Sequence, residues 1–526
     1  MNRKLMVMIQ AVVMSIACIL FCSCSNDDNS SGWPEKQDKS IVILFESDSH
    51  CELSGYPKLA GLRDAINQSD TAWAGVVCCG DFIQGGAVGS VSKGRYIVDV
   101  MQAVGYDAVT LGNHEFEFGG ENMMTQLEPL KPSVVCANFF LHGEAVPYYQ
   151  PYIIRSYGNQ RVAFIGVLTP EAIVTQKFAF YDDGRQLYDL RGYQVPALVQ
   201  QAVDNARGEG ADYVVLLSHM GEKSDIALTS HDLIKATHGI DAVLDGHTHT
   251  SVTHEWVNNS EGRPVLVSQS GNKFKHIGKL VINSDGVLSS TLLPLDDIAE
   301  TSASVTKAVE TVQEQVAGQT AKVICHSDFP LISFSEQNVP LSTTCETAIG
   351  DLVTDAYREF FDADIALQTG ASLSYNFAAG DIRMQDLINL MPFEDQMFLI
   401  EVRGDLLLET LVRCTKGLPE GNKYFPQCAG LKYTVHQQSN TVTDVEVFDR
   451  KSGNYLPLNP EKNYNVSLSV FYSSIGFYGM LKDCKVIKSV STTTRDALEQ
   501  YLTGMPDGQL DNRYKAPQGR IMVVDD

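Results

Sequence analysis

Two α/β domains in series are the architecture that three features of this sequence predict. At 526 residues the chain is too long for one ordinary hydrophobic core. From about Ser40 onward, apolar runs rich in β-branched residues alternate with polar, helix-compatible stretches. A charged, alanine-containing segment, Thr301 to Ala317, has helical periodicity and separates two such regions.

At the N-terminus, Arg3 and Lys4 precede an apolar run from Leu5 to Phe21. This run is too short and wrongly flanked for a membrane span, so residues 1–24 read as a targeting segment. It ends in Phe21-Cys22-Ser23-Cys24, which resembles a bacterial lipoprotein signal. Cys24 is then the expected lipidated residue, with Cys22 or a plain secretory signal as alternatives. Residues 25–39 are polar and acidic, as in a tether. The first domain is expected over 40–297, with strands at Ile41–Phe45, Gly75–Cys79, Ala108–Leu111, Val162–Val167, Tyr213–Leu217 and Ala242–Leu244. A linker helix is expected within 298–321. The second domain, 322–526, has strands at Asp364–Leu367, Met397–Val402 and Tyr464–Leu468.

The bulk numbers narrow the function. A formal charge of −24 argues against nucleic acid as a partner, because that association rests on basic patches. It does not exclude anionic small molecules, since a metal site carries its own positive charge. Of twelve cysteines, nine come after Cys24; their scattered positions form neither a Cys-x-x-Cys metal pattern nor a disulfide framework. Cys78 and Cys79 lie inside an apolar run and read as buried hydrophobes.

The residues just beyond the apolar runs carry the chemistry. Ile41–Phe45 leads to Asp48-Ser49-His50, Gly75–Cys79 to Gly80-Asp81, and Ala108–Leu111 to Gly112-Asn113-His114-Glu115. Tyr213–Leu217 leads to Ser218-His219, and Ala242–Leu244 to Asp245-Gly246-His247-Thr248-His249. α/β sheets place their sites beyond the C-terminal strand ends. Gly80, Gly112 and Gly246 are expected to permit the tight turns there. Alone, His219 would read as a satisfied core histidine and Asp81 as a turn residue. Carboxylate, amide and imidazole donors after five successive runs read together as a metal centre.

These segments, D-S-H, G-D, G-N-H-E, S-H and G-H-T-H, resemble those of the calcineurin-like metallophosphoesterases. The two-domain layout resembles the 5′-nucleotidase / UDP-sugar hydrolase family. The resemblance implies a four-layer sandwich of two mixed sheets flanked by helices, then a second α/β domain that confers substrate specificity and swings during turnover. It also implies two divalent metal ions, one held by Asp48, His50 and His249, the other by Asn113, His219 and His247, with Asp81 bridging both. Two such ions roughly 3.5–4 Å apart clamp phosphate oxygens and generate a nucleophile. The mixed nitrogen and oxygen donors suit Zn, Mn, Fe or Co. His114 is implied as the catalytic residue that is not a ligand, oriented by an acid three positions later. That acid is Asp in the family and Glu117 here.

The second domain departs from the family pattern. The motif ending Asn-Gly-Gly-Gly-Ile-Arg corresponds to Thr369-Gly370-Ala371-Ser372-Leu373-Ser374, so one substrate-binding arginine is Ser374. A second falls near Cys345, and the ribose-binding acid near Phe477. Ser and Cys cannot replace bidentate guanidinium donors. Phe393 and Phe471 match the paired phenylalanines that stack the base. The expectation is a phosphoesterase of the cell envelope, lipid-anchored at the periplasmic face of the outer membrane or at the cell surface. It would act on a small-molecule phosphate ester such as a nucleoside monophosphate or UDP-sugar, with divergent specificity. A 2′,3′-cyclic nucleotide, a non-nucleotide phosphomonoester and a non-catalytic binding role are the alternatives.

Overall fold

In the computed structural model, residues 39–182, 184–224, 227–392, 395–469 and 476–525 are described. The expected lipidation site Cys24 and the expected base-stacking residues Phe393 and Phe471 lie outside them. Lys39–Asp526 form one packed unit.

The first domain comprises β1 (Ser40–Glu46), α1 (Gly55–Gln68), β2 (Ala72–Cys78), α2 (Arg95–Val104) and β3 (Ala108–Val109). Next come β4 (Tyr152–Tyr157), β5 (Gln160–Leu168), α3 (Val195–Gly208), β6 (Tyr213–His219), α4 (Ser230–Ala236) and β7 (Ala242–Asp245). Four more strands, β8 (Ser251–Asn258), β9 (Pro264–Ser270), β10 (His276–Ile282) and β11 (Leu288–Pro294), complete it. One sheet has the order β11-β10-β1-β2-β3, the other β8-β9-β7-β6-β5-β4. β1, β2 and β3 run parallel, as do β5, β6, β7 and β9; antiparallel strands lie at both edges of the second sheet and at the β10–β11 side of the first, whose other edge is the parallel β3.

Alternation along the strands explains the layers. Ile41, Ile43 and Phe45 of β1 join Phe164, Val215, Leu217 and Leu244 in the core between the two sheets. Val42 and Leu44 point the other way and pack with Leu59, Val98 and Met101 of α1 and α2. On the far side, Val199 and Val203 of α3 and Leu233 of α4 cover Ile165, Leu216 and Val243. The result is a four-layer sandwich. Cys78 and Cys79 are fully buried on opposite faces, and burial pushes both thiols well up. β3 is shorter than the run Ala108–Leu111 suggests, because the chain leaves the sheet there to deliver Asn113.

Helix α5 (Ala303–Thr320) buries Val305, Val309 and Val312 against the helical layer that also contains α1 and α2. The second domain contains α6 (Ala348–Phe361), β12 (Ile365–Thr369), β13 (Gln396–Arg403), β14 (Pro426–Ala429), β15 (Asn463–Ser469), β16 (Lys485–Thr493) and α7 (Thr494–Thr503). Its main sheet has the order β14-β12-β15-β13-β16. One face packs on α6 and α7 through Leu352, Tyr357 and Leu498, the other on the helix Gly404–Cys414 through Leu407 and Leu411. Among the described residues no helix is long and apolar enough to cross a membrane.

Phe45 on β1 lies opposite Gly278 on β10, and a Cβ at Gly278 would stand 2.1 Å from the Phe45 ring. Gly278→Ala is therefore expected to overpack the core and to cost about 1–3 kcal/mol in urea unfolding. Adding Phe45→Leu should recover part of that loss; no loss in the single variant would contradict the packing described.

Candidate metal centre

All five strand ends expected to carry ligands converge at one edge of the two sheets. Two groups of donor atoms form there, each with its atoms within 4.8 Å of one another: Asp48, His50, Asp81 and His249, and Asp81, His219 and His247. Asp81 belongs to both. Asn113 joins the second group, its Oδ1 lying 2.9 Å from His247 Nδ1.

The local backbone is specialised. Asp48, His50, Asp81, His247 and His249 all have positive φ, between 45° and 81°. Non-glycine residues in the left-handed region cost on the order of 1–3 kcal/mol each and cluster where function requires them. Of the three glycines expected to ease turns, only Gly80 needs its freedom, at φ +94°. Gly112 is extended, and Gly246 does not adopt positive φ. Those two serve by lacking a side chain: a Cβ at Gly112 would stand 2.2 Å from Asp81 Oδ1, and one at Gly246 2.9 Å from His219 Nδ1.

Each imidazole is oriented from behind. His219 Nδ1 lies 2.7 Å from the Cys79 carbonyl, which can accept only if Nδ1 carries the proton. Its Nε2 is buried without a hydrogen-bond partner among the described residues, 3.0 Å from Asp81 Oδ2. His50 Nδ1 is 3.1 Å from Gln84 Oε1, which leaves its Nε2 facing His249 Nε2 at 3.1 Å. The Asn272 amide nitrogen lies 3.2 Å from His249 Nδ1, and Glu171 3.4 Å from His247 Nε2. Acceptors behind the ring, as at His219 and His50, fix the tautomer that leaves Nε2 free as a ligand. The imidazole nitrogens of His50 and His249 face one another at the open side of the site, and that of His219 faces the buried Asp81 carboxylate, a mixed donor set suited to a cation.

Electrostatics agree with this. Burial pushes Asp48 up to about 7, against the opposing pull of His219. Burial also acts to raise Asp81, but His219 and His114 outweigh it and hold this carboxyl well below the usual range. His50 is pushed down to about 4, chiefly by burial, and burial also lowers His247 and His249. Lowering favours the neutral imidazole, the form that can act as a ligand. Burial opposes a charge on His219, yet the adjacent Asp81 raises it to about 10.

His114 and Glu117 are also brought together, with Nδ1 2.9 Å from Oε2. The longer glutamate thus still reaches His114, and Gln176 Nε2 donates to the same oxygen at 3.2 Å. The His114 backbone N–H donates to Asp81 Oδ1 at 2.8 Å, which ties this turn to the shared carboxylate. In the second domain Ser374 uses its backbone N–H on the Leu390 carbonyl, Cys345 is half-buried, and Phe477 is fully buried in the core.

The sequence alone assigns no role to Glu115, Glu171, Gln84, Asn272 or Glu222. Glu115 is buried and accepts from the backbone N–H groups of Asp81, Phe82 and Ile83 at 2.8–3.1 Å and from that of Gly112. It therefore fixes the two turns that present Asp81 and Asn113. Its place directly after Gly112-Asn113-His114 is the one signal that could have marked it. Glu222 accepts from Thr248 and Thr250, which flank His249, and nothing in its own neighbourhood of the sequence marks it.

Residues 41–251 match the calcineurin-like phosphoesterase family, and residues 323–483 match the 5′-nucleotidase C-terminal domain. The chain belongs to the family that joins these two domains, whose members are phosphate-ester hydrolases that use divalent metals. It is 24% identical over 505 residues to the trifunctional nucleotide phosphoesterase protein YfkN of Bacillus subtilis, covering 86% of this chain and 33% of that protein's length. It is 22% identical over 464 residues to the NAD 5′-nucleotidase of Haemophilus influenzae, covering 75% of each. The fold resembles the crystal structure of a 5′-nucleotidase precursor from Thermus thermophilus, with TM-score 0.58 at 22% identity, covering 93% of this chain and 100% of that one.

The contact of Gly112 with Asp81 is testable. Gly112→Ala is expected to fold but to bind Mn²⁺ about 10–100-fold more weakly by isothermal titration, because its methyl displaces the shared carboxylate. Unchanged affinity would contradict this role for the glycine.

Proposed function

We propose that this protein is a dinuclear-metal phosphoesterase whose natural substrate is a small phosphate ester, with nucleotide selectivity altered from that of its relatives. The observation that carries the proposal is the membership of Asp81 in both ligand groups. Asp48, His50 and His249 would hold one cation, and Asn113, His219 and His247 the other. A carboxylate between two cations offsets their mutual repulsion. The cations, when bound, supply Lewis-acid polarisation of the phosphoryl oxygens and a nucleophile at neutral pH.

The chain's own residues do the rest. Glu117 holds His114 by Nδ1, which leaves Nε2 for the phosphate or the leaving oxygen. Asp48, Asp81 and His219 are buried, so a substrate phosphate would enter a region where charge is weakly screened. In the second domain, Ser374 and Cys345 lack the guanidinium forks with which the family grips substrate charge, and Phe477 lacks the acid for ribose hydroxyls. This favours a phosphomonoester, UDP-sugar or cyclic nucleotide bound in another way over strict recognition of AMP.

The test is metal-dependent hydrolysis with Mn²⁺, Co²⁺ or Zn²⁺, read as inorganic phosphate from nucleoside monophosphates and simple phosphomonoesters, and by chromatography of the nucleoside monophosphate formed from UDP-sugars and cyclic nucleotides. Asp81→Asn and His114→Ala are expected to lose about 10²–10⁴-fold in kcat/KM on whichever ester is best. A wild type no faster than these variants on every ester would overturn the enzyme reading. AMP emerging as the preferred substrate would overturn the altered selectivity alone.

A further inference from the structure

We infer that Gln396, in the second domain, is a positioning residue for the catalytic pair His114–Glu117, so that the pair is fully aligned only while the second domain is docked. The inference rests on the phosphoesterase reading above. Glu117 is buried, and its acceptors are engaged by different parts of the chain. Its carboxylate accepts from His114 Nδ1 at 2.9 Å and from Gln176 Nε2 at 3.2 Å. Its backbone carbonyl accepts from Gln396 Nε2, whose side chain is also buried. Without this bond, the turn is closed only on its first-domain side, where the Glu117 N–H donates to the His114 carbonyl at 3.2 Å.

Gln396 is rigidly mounted. It opens β13, which lies between β15 and β16 in the main sheet of the second domain, and it pairs with Thr493. The Thr493 hydroxyl caps α7 by accepting from the Asp496 N–H at 3.1 Å, and the Thr494 N–H donates to the Asp395 carbonyl at 2.8 Å. Motion of Gln396 relative to Glu117 therefore requires motion of that sheet. The other amide on Glu117 leads to the same place: two residues beyond Gln176, Phe178 packs against the apolar core of the second domain. Glu117 is thus gripped by one glutamine from the second domain and by another, Gln176, that immediately precedes the helical turn whose Phe178 leans on that domain. A docked second domain holds the Glu117 carboxylate at Nδ1 of His114, and a displaced one withdraws the amide from the turn.

A double-mutant cycle tests this, with metal-loaded full-length protein and phenyl phosphate as the probe. Gln396→Met keeps length and apolar bulk without a donor; Gln396→Glu, as carboxylate, keeps shape and also cannot donate. Both are expected to lower kcat 5–50-fold while changing KM less than twofold. In a Glu117→Ala background, where the carboxylate through which Gln396 acts is gone, the same substitutions should cost less than a further twofold. Wild-type kcat in both single variants would overturn the inference, as would losses that multiply in full in the Glu117→Ala background. If one variant fails to fold, as judged by circular dichroism, the other decides. A wild type no faster than His114→Ala on phenyl phosphate and on every ester of the panel above would overturn the phosphoesterase reading and this inference with it, whereas an active wild type with silent Gln396 variants on its best ester overturns only the inference.

Discussion

Imidazole lone pairs and carboxylates cannot crowd a buried pocket without positive charge between them, and this constraint organises the first domain around Asp81. The side chain is buried, stands 3.0 Å from Nε2 of His219, and accepts the backbone N–H of His114. Its charge in turn pushes the pKa of both His219 and His114 upward against the effect of burial. Divalent cations would balance that charge. Five residues accept left-handed backbone to face this point, which makes the centre a strained arrangement that binding energy can offset.

The supporting shell explains how such crowding stays ordered. Glu115 draws together the turns after β2 and β3, and the Cys79 carbonyl, Gln84, Asn272 and Glu171 each address the rear nitrogen of one histidine. Gly112 and Gly246 let backbone approach where a methyl would strike Asp81 or His219. His114 is held from three directions: by Asp81 through its N–H, by Glu117 through its ring, and through Glu117 by glutamines 176 and 396. The candidate ligand Asn113, the His114–Glu117 pair and the contact with Gln396 therefore share one stretch of chain, residues 112–117.

Much of this is legible in the sequence because strand-forming runs are physically distinctive. β-Branched runs such as Ile41–Phe45 and Tyr213–Leu217 form the central strands β1 and β6, and Asp48, Asp81 and His219 emerge at or just after strand ends. The strands that follow β7 and complete both sheets, β8 to β11, are more polar and do not stand out from the sequence. Backbone conformation is less legible. Gly112 looks like a turn residue but is extended, since the sequence does not show that Asp81 lies against its α-carbon. Long-range partners are least legible of all. Gln396 reads as an ordinary first residue of a strand, and only the fold brings it to Glu117, 279 positions away.

The most direct measurement of the central claim is electron paramagnetic resonance of the Mn²⁺-loaded protein. If Asp81 is shared by two cations, the wild type should show the hyperfine pattern of an exchange-coupled manganese pair, and Asp81→Asn should lose it. Only uncoupled single-ion signals from fully loaded wild type would contradict a centre built on one shared carboxylate.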